Sequence, residues 1–546
     1  MQRIINFIST HRWPILIILF AILIRFYNFQ EVSYFTYDNG RDAQEIQKIV
    51  EGDLTLIGPT SGLQGFFIGP LWFYAGVPGN LLFGGNPYGL IAWYIFTATL
   101  AIPLFYWLSK LLFPDEKDNR WRWLTFLLLA FIPGSVWGSV FVLSPMLAFP
   151  IITAALLALY YARKSRWWLL VGFFLLGLVL QAEFAYAIFI VPVIYLAIAW
   201  IRGRFNFWDY LVGGLGVFIT LLPQLAFELR NQFLMSKFLF QGLTTTADTK
   251  ETWTHFLSNR IPQLFWSTNS LFLGSSKATI VIGLVLMIAI GVAAKYIWKN
   301  KDFLKDKTAS FRWQLMTLFA VAPYLGFLLW RGNHGHFFGY YLAPHFIFLV
   351  PLLVLGIKQL PEFLKTTHKW FTKQRVWFIQ LILVITLFYT SWLEYHSTIV
   401  EVDNQAGLQT IEQATYTVLH WWQEDLKFTE GKGYVFPSSV ATFTPNYQTA
   451  QYDYVMHWKA RQLGLEVPHT QVLPEHEVVY VILEPDREIP EKRFTPWYDK
   501  VKENRIRVRR TRVGILIVET WMDKGFASFN GYFEHEIPIG EQMGWR

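Results

Sequence analysis

Residues 66–109 read FFIGPLWFYAGVPGNLLFGGNPYGLIAWYIFTATLAIPLFYWLS, a stretch of 44 residues without a charged side chain. A helix of about 20 apolar residues crosses the hydrocarbon core of a bilayer, which is about 30 Å thick. The stretch is therefore long enough for one transmembrane helix or for two, and it indicates a protein that lies in a membrane.

The composition of the whole chain is also typical of a membrane protein. Of its 546 residues, 53% are hydrophobic and 16% are charged, whereas soluble domains carry about 25% charged residues. The chain has no cysteine, which excludes disulfides, thiolate nucleophiles and cysteine-ligated zinc. Its net charge of +8 comes largely from short basic loops between apolar runs, so the charge does not indicate a nucleic-acid partner.

Eleven apolar runs have the length of transmembrane helices, and no cleavage motif of a signal peptide follows the first of them. The runs are 13–29, 88–109, 123–142, 145–162, 167–182, 184–201, 208–229, 278–298, 313–330, 340–357 and 376–393. Segment 66–83 is interrupted by Gly76, Pro78 and Gly79. We interpret this segment as a helix that lies in the outer membrane interface or dips into it.

The distribution of Lys and Arg supports one span, rather than two, in residues 66–109. With one span there, 22 basic residues fall in loops on one side of the membrane and eight in loops on the other. Basic loops remain in the cytoplasm. The sequence therefore predicts a multi-pass protein of the plasma (inner) membrane, with a cytoplasmic N-terminus and an extracytoplasmic C-terminal part.

The sequence predicts two domains, a membrane domain at 1–396 and a small extracytoplasmic α/β domain at 397–546. Hydropathy falls and charge rises at this boundary. In the C-terminal domain we expect helices at 405–426 and 448–464, strands at 433–439 and 475–484, and a strand pair at 505–521.

The first external segment contains the acidic motif YDNGRDA, in which Asp38 and Asp42 flank Arg41. We expect a helix from near Gly40 to Glu51, with an apolar side that faces lipid. That side is formed by Ile46, Ile49 and Val50. A carboxylate at this boundary can take a proton from an acceptor hydroxyl in sugar transfer. Two structural alternatives are that Asp38 caps the helix and that Asp42 pairs with Arg41 on a wet surface.

A segment rich in glycine and proline, IGPTSGLQGFFIGPLWFY, follows at 57–74. These residues permit tight backbone turns around a ligand. An ordinary connection between two interfacial helices explains the same residues equally well.

Four features of the chain together resemble the GT-C glycosyltransferases. They are the acidic motif after the first span, the GPLWFY segment, the eleven or so spans and the predicted external α/β part. Within that superfamily, the chain is similar to bacterial relatives of the dolichyl-phosphate-mannose protein mannosyltransferases and of the aminoarabinose transferases, over about residues 10–396. The resemblance implies a polytopic helical fold, a polyprenyl-phosphate sugar donor and catalysis by an acid of the first loop. Asp38 matches that position best, and Asp42 is second.

One motif departs from the family pattern. Relatives often carry a second acid in an LDP-like turn, where this chain has VFVLSPM with Ser144 and Pro145. Glu183 is a candidate for the second acid, and it lies in LQAEFAYA at the predicted outer turn between two spans. An ionisable group near a membrane costs free energy, so its presence there indicates a function. The structural alternative is a wet glutamate at a helix turn.

A further group of candidates lies in WRGNHGHFFGYYLAPH, residues 330–345, between two spans on the predicted external side. Cationic or hydrogen-bonding side chains would bind a lipid phosphate there, and tyrosines would pack against a sugar. The candidates are Arg331, His334, His336, Tyr340 and Tyr341, with Arg230 and Arg260 from the preceding external segment. The alternative is an aromatic interface loop with ordinary interfacial cations. The two histidines lack a third convincing ligand, so no metal site is predicted.

Together with these features, the resemblance implies a membrane glycosyltransferase that moves a hexose or pentose from a polyprenyl-phosphate donor to a glycan, lipid or protein acceptor. A single displacement would invert the anomeric centre. The sequence requires no cofactor and leaves open a divalent cation, Mg²⁺ or Mn²⁺. The alternative function is a transporter or flippase of a lipid-linked or small polar substrate. Transporters place ionisable residues near the bilayer midplane, whereas the predicted spans have almost no charge in their middles. A membrane scaffold or sensor is a third class.

Overall fold

The computed structural model describes residues 2–61, 65–115, 118–202, 206–244, 252–274, 280–299, 305–331, 337–367, 372–400, 407–431, 438–445, 448–466, 469–471, 476–485 and 490–529. The chain divides into two compact units. The membrane unit contains Met1–Tyr27, Asp53–Gly76 and Ala92–Glu401. The sheet unit contains Asn28–Gly52, Val77–Ile91 and Val402–Arg546. Two pieces of the chain between the first two predicted spans therefore group with its C-terminal part.

The membrane unit is helical, and in the part of the chain that the structure describes, helices form along each of the eleven apolar runs found in the sequence. Its helices are Gln2–Phe26, Ala101–Leu112, Arg120–Phe131, Pro133–Val140, Ala148–Tyr161, Trp167–Ala182, Phe184–Arg202, Phe207–Arg230, Leu234–Thr244, Trp253–Leu273, Ile280–Lys299, Lys307–Leu329, Phe346–Thr367 and Lys373–Tyr395. The helices Leu71–Phe83 and Pro87–Thr99 have residues in both units. Short 3₁₀ turns are present at Ser144–Leu147 and Gly339–His345.

Six helical stretches in the described part of the chain are long and apolar enough to cross a membrane. They are Pro87–Leu112, Arg120–Val140, Ser144–Tyr161, Phe207–Arg230, Gly339–Leu364 and Gln374–Val400. Trp167–Ala182 and Phe184–Ile198 are shorter apolar helices. The predicted multi-pass helical fold is confirmed. The number of spans, the side that each loop faces and the position of segment 66–83 in the interface stay predictions.

A buried arginine ties the first helix to the break between the helices Arg120–Phe131 and Pro133–Val140. Arg25 Nε donates to Ser139 Oγ at 2.7 Å, and Nη2 donates to Ala130 O at 2.8 Å and to Ser135 Oγ at 2.9 Å. A buried cation is costly unless its donors are satisfied. These bonds therefore fix the first helix against the break.

The sheet unit contains a five-stranded mixed sheet in the order β2-β1-β3-β5-β4. Its strands are β1 (Ser438–Phe443), β2 (His469–Gln471), β3 (Val478–Leu483), β4 (Arg505–Val513) and β5 (Leu516–Asp523). Strand β1 pairs in parallel with β2 and β3, and β5 is antiparallel to β3 and β4. The helices are Phe29–Val32, Tyr37–Val50, Leu408–Glu430, Ala450–Leu463, Pro490–Lys502 and Lys524–Phe529.

The predicted small α/β part is confirmed, with differences in its elements. Both predicted helices form, and the strand pair and the strand at 475–484 are present as β4, β5 and β3. Of the predicted strand 433–439, residues 433–437 lie outside the described residues, and β1 begins at Ser438. The sequence patterns missed β2, which is too short for a periodic signal, and the helix Pro490–Lys502.

The helix Tyr37–Val50 packs against the helix Ala450–Leu463 within the sheet unit. Ile46 and Ile49 are buried, so the expectation that this side of the helix faces lipid was wrong. A Cβ atom at Gly40 would collide with the backbone of Gln451, which shows how closely the two helices approach. The apolar side of the helix is covered by protein because its partner comes from the C-terminal part of the chain.

A buried carboxylate lies among donors in the sheet. Glu519 on β5 is 0% exposed. Its Oε2 accepts from Tyr498 Oη at 2.9 Å and from Trp521 Nε1 at 2.8 Å, and its Oε1 accepts from Arg507 Nη1 at 3.2 Å. Arg510 Nε lies 3.5 Å from Oε1. This network holds β4 and the helix Pro490–Lys502 to β5.

Replacing Glu519 with Gln should destabilise the protein strongly, because it leaves two arginines beside a neutral group. Breaking a buried ion pair costs about 3–5 kcal/mol. Thermal unfolding of the purified full-length protein in detergent measures the effect. The matched control is Glu503→Gln, at an exposed position, which should leave the unfolding temperature nearly unchanged. An equally small shift for both variants would contradict a structural role for the network.

Replacing Gly40 with Ala should also lower the unfolding temperature, because the new methyl group must displace the backbone at Gln451. Overpacking of this kind costs about 1–3 kcal/mol. The control is Gly431→Ala, where the nearest atoms would lie 3.6 Å from the new Cβ. If Gly40→Ala is as stable as the control, the two helices are less tightly joined than the structure indicates.

Candidate functional site

A cavity in the membrane unit brings together residues from several separate parts of the chain. Its volume is about 110 Å³. Its polar lining consists of Thr60, Ser61, Ser144, Glu183, Tyr340 and Tyr341. Aromatic and apolar residues, including Phe184, Phe189 and Trp330, form much of the rest. Three predicted site residues therefore share one cavity, and it also includes Ser144, the position at which relatives often carry an acid.

Glu183 lies in the break between the helices Trp167–Ala182 and Phe184–Arg202, and it is 6% exposed. The backbone N–H of Ala185 donates to its carboxylate, and no described Lys, Arg or His pairs with it. Burial raises the pKa of Glu183 from 4.5 to about 8. The carboxyl is therefore largely protonated at neutral pH and can donate a hydrogen bond. Burial contradicts the alternative of a wet turn residue.

The glycine- and proline-rich segment forms a narrow backbone hairpin beside this break. Gly58 N–H donates to Ile68 O at 2.8 Å, and Ile68 N–H donates to Pro59 O at 3.0 Å. A Cβ at Gly58 would overlap the carbonyl group of Gly69, so this crossing requires glycine. The hairpin contributes Thr60, Ser61 and Ile68 to the cavity lining.

Two tyrosines of the turn Gly339–His345 supply an aromatic wall. The ring centroids of Tyr340 and Tyr341 are 4.9 Å apart at 77°, and Phe338 stacks on Tyr340 at 5.6 Å. Tyr341 interacts electrostatically with both Glu183 and Arg260. This tyrosine therefore links the buried acid to a nearby cation.

Two arginines are held against aromatic rings in the membrane unit. The guanidinium carbon of Arg260 lies 5.1 Å from the ring centroids of Phe256 and Phe337. That of Arg331 lies 4.9 Å from the ring centroid of Trp253 and 5.8 Å from that of Phe256. The ring of Phe256 is therefore shared by both cations. Cation–π contacts of this kind fix the direction in which the guanidinium donors point.

The acidic motif lies in the sheet unit, at the start of the helix Tyr37–Val50. Arg41 Nη1 is 2.8 Å from Asp38 Oδ1, and Nη2 is 2.7 Å from Asp42 Oδ1. The side chain of Asp38 is 52% exposed, whereas that of Asp42 is 9% exposed. Thr36 and Asn39 form the helix cap, so Asp38 does not have that role. The predicted pair of Asp42 and Arg41 is present, but Asp42 is buried rather than wet.

The remaining predicted site residues belong neither to the cavity, nor to the pair of arginines, nor to the acidic motif. Arg230 is exposed at the end of the helix Phe207–Arg230, which agrees with the alternative of an interfacial cation. His334 and His336 lie outside the described residues. In the part of the chain that the structure describes, no three His, Asp or Glu side chains come together as a metal site requires. A divalent cation therefore stays an untested expectation.

Sequence reasoning missed several residues of the membrane unit. Trp330, Thr60 and Ser61 line the cavity, although no acidic or basic signal marks them. A buried pair, Tyr186 Oη and His345 Nδ1 at 2.8 Å, lies between the helix after Glu183 and the end of the turn with the two tyrosines. Such contacts join residues far apart in the chain, so sequence spacing cannot reveal them.

No protein-family model matches the sequence, and no curated protein does. Several solved structures match the fold over most of the chain. ArnT from Cupriavidus metallidurans in the apo state has a TM-score of 0.52 at 12% identity, and the match covers 94% of this chain and 98% of that one. The same protein bound to undecaprenyl phosphate has a TM-score of 0.55 at 12% identity, with coverage of 93% and 98%.

An oligosaccharyltransferase from Archaeoglobus fulgidus matches at a TM-score of 0.42 and 13% identity, over 86% of this chain and 68% of that one. The two ArnT structures extend through almost the whole of both chains, so the likeness includes the helical part and the sheet. The chain has the GT-C fold, and this confirms the fold that the resemblance in its sequence predicted.

Proposed function

We propose that the protein is a membrane glycosyltransferase that moves a monosaccharide from a polyprenyl-phosphate donor to an extracytoplasmic acceptor. The observation that carries this proposal is the cavity that joins a buried acid to tyrosine and tryptophan side chains. The fold supports it, since one solved structure with this fold binds undecaprenyl phosphate.

The chemistry of the cavity suits a sugar ring. The C–H faces of a pyranose or furanose pack on aromatic rings, and its hydroxyl groups need a few fixed polar partners. Tyr340 and Trp330 offer the rings, and Glu183 and Ser144 offer the polar groups. In this proposal, Glu183 replaces the acid that relatives carry at the position of Ser144.

Arg260 and Arg331 are the proposed partners of the donor phosphate. A guanidinium presents several donors in a planar fork and binds phosphate through charge-assisted hydrogen bonds. Arg260 is 2% exposed, and its electrostatic interaction with Tyr341 relates it to the cavity lining. Neutralising the phosphate stabilises it as a leaving group.

The proposed reaction is a single displacement. The oxygen of an acceptor hydroxyl forms a bond to the anomeric carbon while the bond from that carbon to the phosphate oxygen breaks. The lipid phosphate leaves with the electron pair, and Asp38 takes the proton of the acceptor. Arg41 and the buried Asp42 hold Asp38 in place, and the exposure of Asp38 agrees with this role. The anomeric centre inverts.

Replacing Asp38 with Asn should lower sugar transfer by about 10²-fold or more, which is the usual contribution of a general base. Membranes that contain the full-length protein, supplied with radiolabelled polyprenyl-phosphate hexoses and pentoses, provide the assay. The control is Glu45→Gln on the same helix, which removes a surface pair with Lys48 and should leave transfer intact. Turnover by Asp38→Asn close to that of the control would remove Asp38 from this role.

Replacing Glu183 with Gln should change how stability depends on pH. The pKa of Glu183 is raised from 4.5 to about 8, so between these values the unfolded chain releases a proton that the folded protein retains. This group therefore lowers the free energy of unfolding of the wild-type protein as the pH rises from 4.5 to about 8. The free energy of unfolding of Glu183→Gln should fall less over the same pH range. Thermal unfolding across this range measures it, and identical curves for the two proteins would contradict a buried, protonated Glu183.

A further inference from the structure

The turn between the helices Leu71–Phe83 and Pro87–Thr99 presents three consecutive apolar side chains to the outside. Leu81 is 63% exposed, Leu82 is 68% exposed and Phe83 is 47% exposed. The turn then closes through Gly84 and Gly85, which have φ values of 60° and 72°. A left-handed pair of this kind favours glycine and reverses the chain tightly. The apolar side chains therefore stand at the tip of a short helical hairpin.

This hairpin tip is fixed to the sheet unit by polar contacts. Tyr454 Oη donates to Gly85 O at 2.8 Å, and Tyr88 Oη donates to Glu412 Oε2 at 2.9 Å. A third bond joins two side chains, since Asn80 Nδ2 donates to Gln47 Oε1 at 3.2 Å. The partners come from three helices of the sheet unit, Tyr37–Val50, Leu408–Glu430 and Ala450–Leu463. The tip is therefore a rigid part of that unit.

The position of the tip in the chain indicates what covers it. A helical stretch that is long and apolar enough to cross a membrane begins at Pro87, directly after the turn. No charged residue occurs from 66 to 109, so nothing in this segment opposes contact with lipid. Exposed apolar side chains next to the end of a span lie where acyl chains meet headgroups.

A cation stands beside the same turn. Arg461, near the end of the helix Ala450–Leu463, is exposed. Its Nη2 would lie 3.5 Å from a Cβ atom built at Gly85. Lipid phosphates lie just outside the acyl region, and an arginine binds them through charge-assisted hydrogen bonds. The apolar tip and the adjacent cation thus offer one group for each of the two layers of a bilayer surface.

We propose that Leu81, Leu82, Phe83 and Arg461 form a bilayer anchor of the sheet unit. The three apolar side chains enter the acyl boundary of the leaflet, and Arg461 contacts the phosphate layer. The sheet unit, which carries the acidic motif, is thereby attached to the lipid surface by its own contact. This inference does not depend on the proposed sugar transfer.

The experiment uses the full chain in vesicles of phosphatidylcholine and phosphatidylglycerol. Because the chain has no cysteine, single-cysteine variants can be labelled specifically with an environment-sensitive fluorophore. The variants are Leu82→Cys at the tip, Arg461→Cys beside it and the control Phe428→Cys, an exposed apolar position elsewhere in the sheet unit. Quenching lipids carry the quencher either on the acyl chain or on the headgroup.

We expect the probe at Leu82→Cys to show blue-shifted emission and to be quenched most by the acyl-chain quencher. The probe at Arg461→Cys should be quenched most by the headgroup quencher, and the probe at Phe428→Cys should report water. Emission typical of water at Leu82→Cys would overturn the proposed anchor. The apolar tip would then be a surface for a protein partner rather than for lipid. Equal quenching of the Leu82→Cys and Phe428→Cys probes would also overturn it, because contact would then not be specific to the tip.

Discussion

A bilayer core contains no water, so each backbone N–H and C=O group there must find a partner within the protein. The membrane unit satisfies this constraint with helices. Its backbone is irregular at only a few places in the part of the chain that the structure describes. Two of these departures, the hairpin closed by Gly58 and Ile68 and the helix break at Glu183, line the same cavity. Their backbone groups remain bonded, since Glu183 N–H donates to Val179 O at 2.8 Å. Irregular backbone is tolerated in membrane proteins where it lines a cavity, and the proposed site is assembled from such segments.

The same constraint decides how charge is accommodated in the membrane unit. Glu183 has no described cationic partner, and protonation removes its charge instead. The guanidinium carbon of Arg260 lies 5.1 Å from the ring centroids of both Phe256 and Phe337. Arg25 has hydroxyl and carbonyl acceptors. In the proposed function, a neutral acid beside tyrosines suits an uncharged sugar, whereas a cation with fixed direction suits a phosphate. The two kinds of polar group would then contact different parts of the proposed lipid-linked donor.

Composition and the pattern of apolar residues predicted most of the fold that could be predicted from the sequence. The apolar runs located helices because about 20 residues are needed to cross a bilayer. A short apolar segment located β3, and an alternating pattern located β4 and β5. The environment of Ile46 and Ile49 could not be predicted, because an amphipathic helix has the same pattern against lipid as against protein. Likewise, Ser144 and Glu183 were both singled out by their motifs, but only the folded chain places them around one cavity.

The close approach of Gly40 to Gln451 has a consequence for biosynthesis. The helix Tyr37–Val50 leaves the ribosome early, long before the helix Ala450–Leu463 that covers its apolar side. Until translation has passed that second helix, Ile46 and Ile49 lack their native cover, and exposed apolar surface of this kind promotes aggregation. The nascent chain can therefore complete the packing of the helix Tyr37–Val50 only after the helix Ala450–Leu463 has been translated.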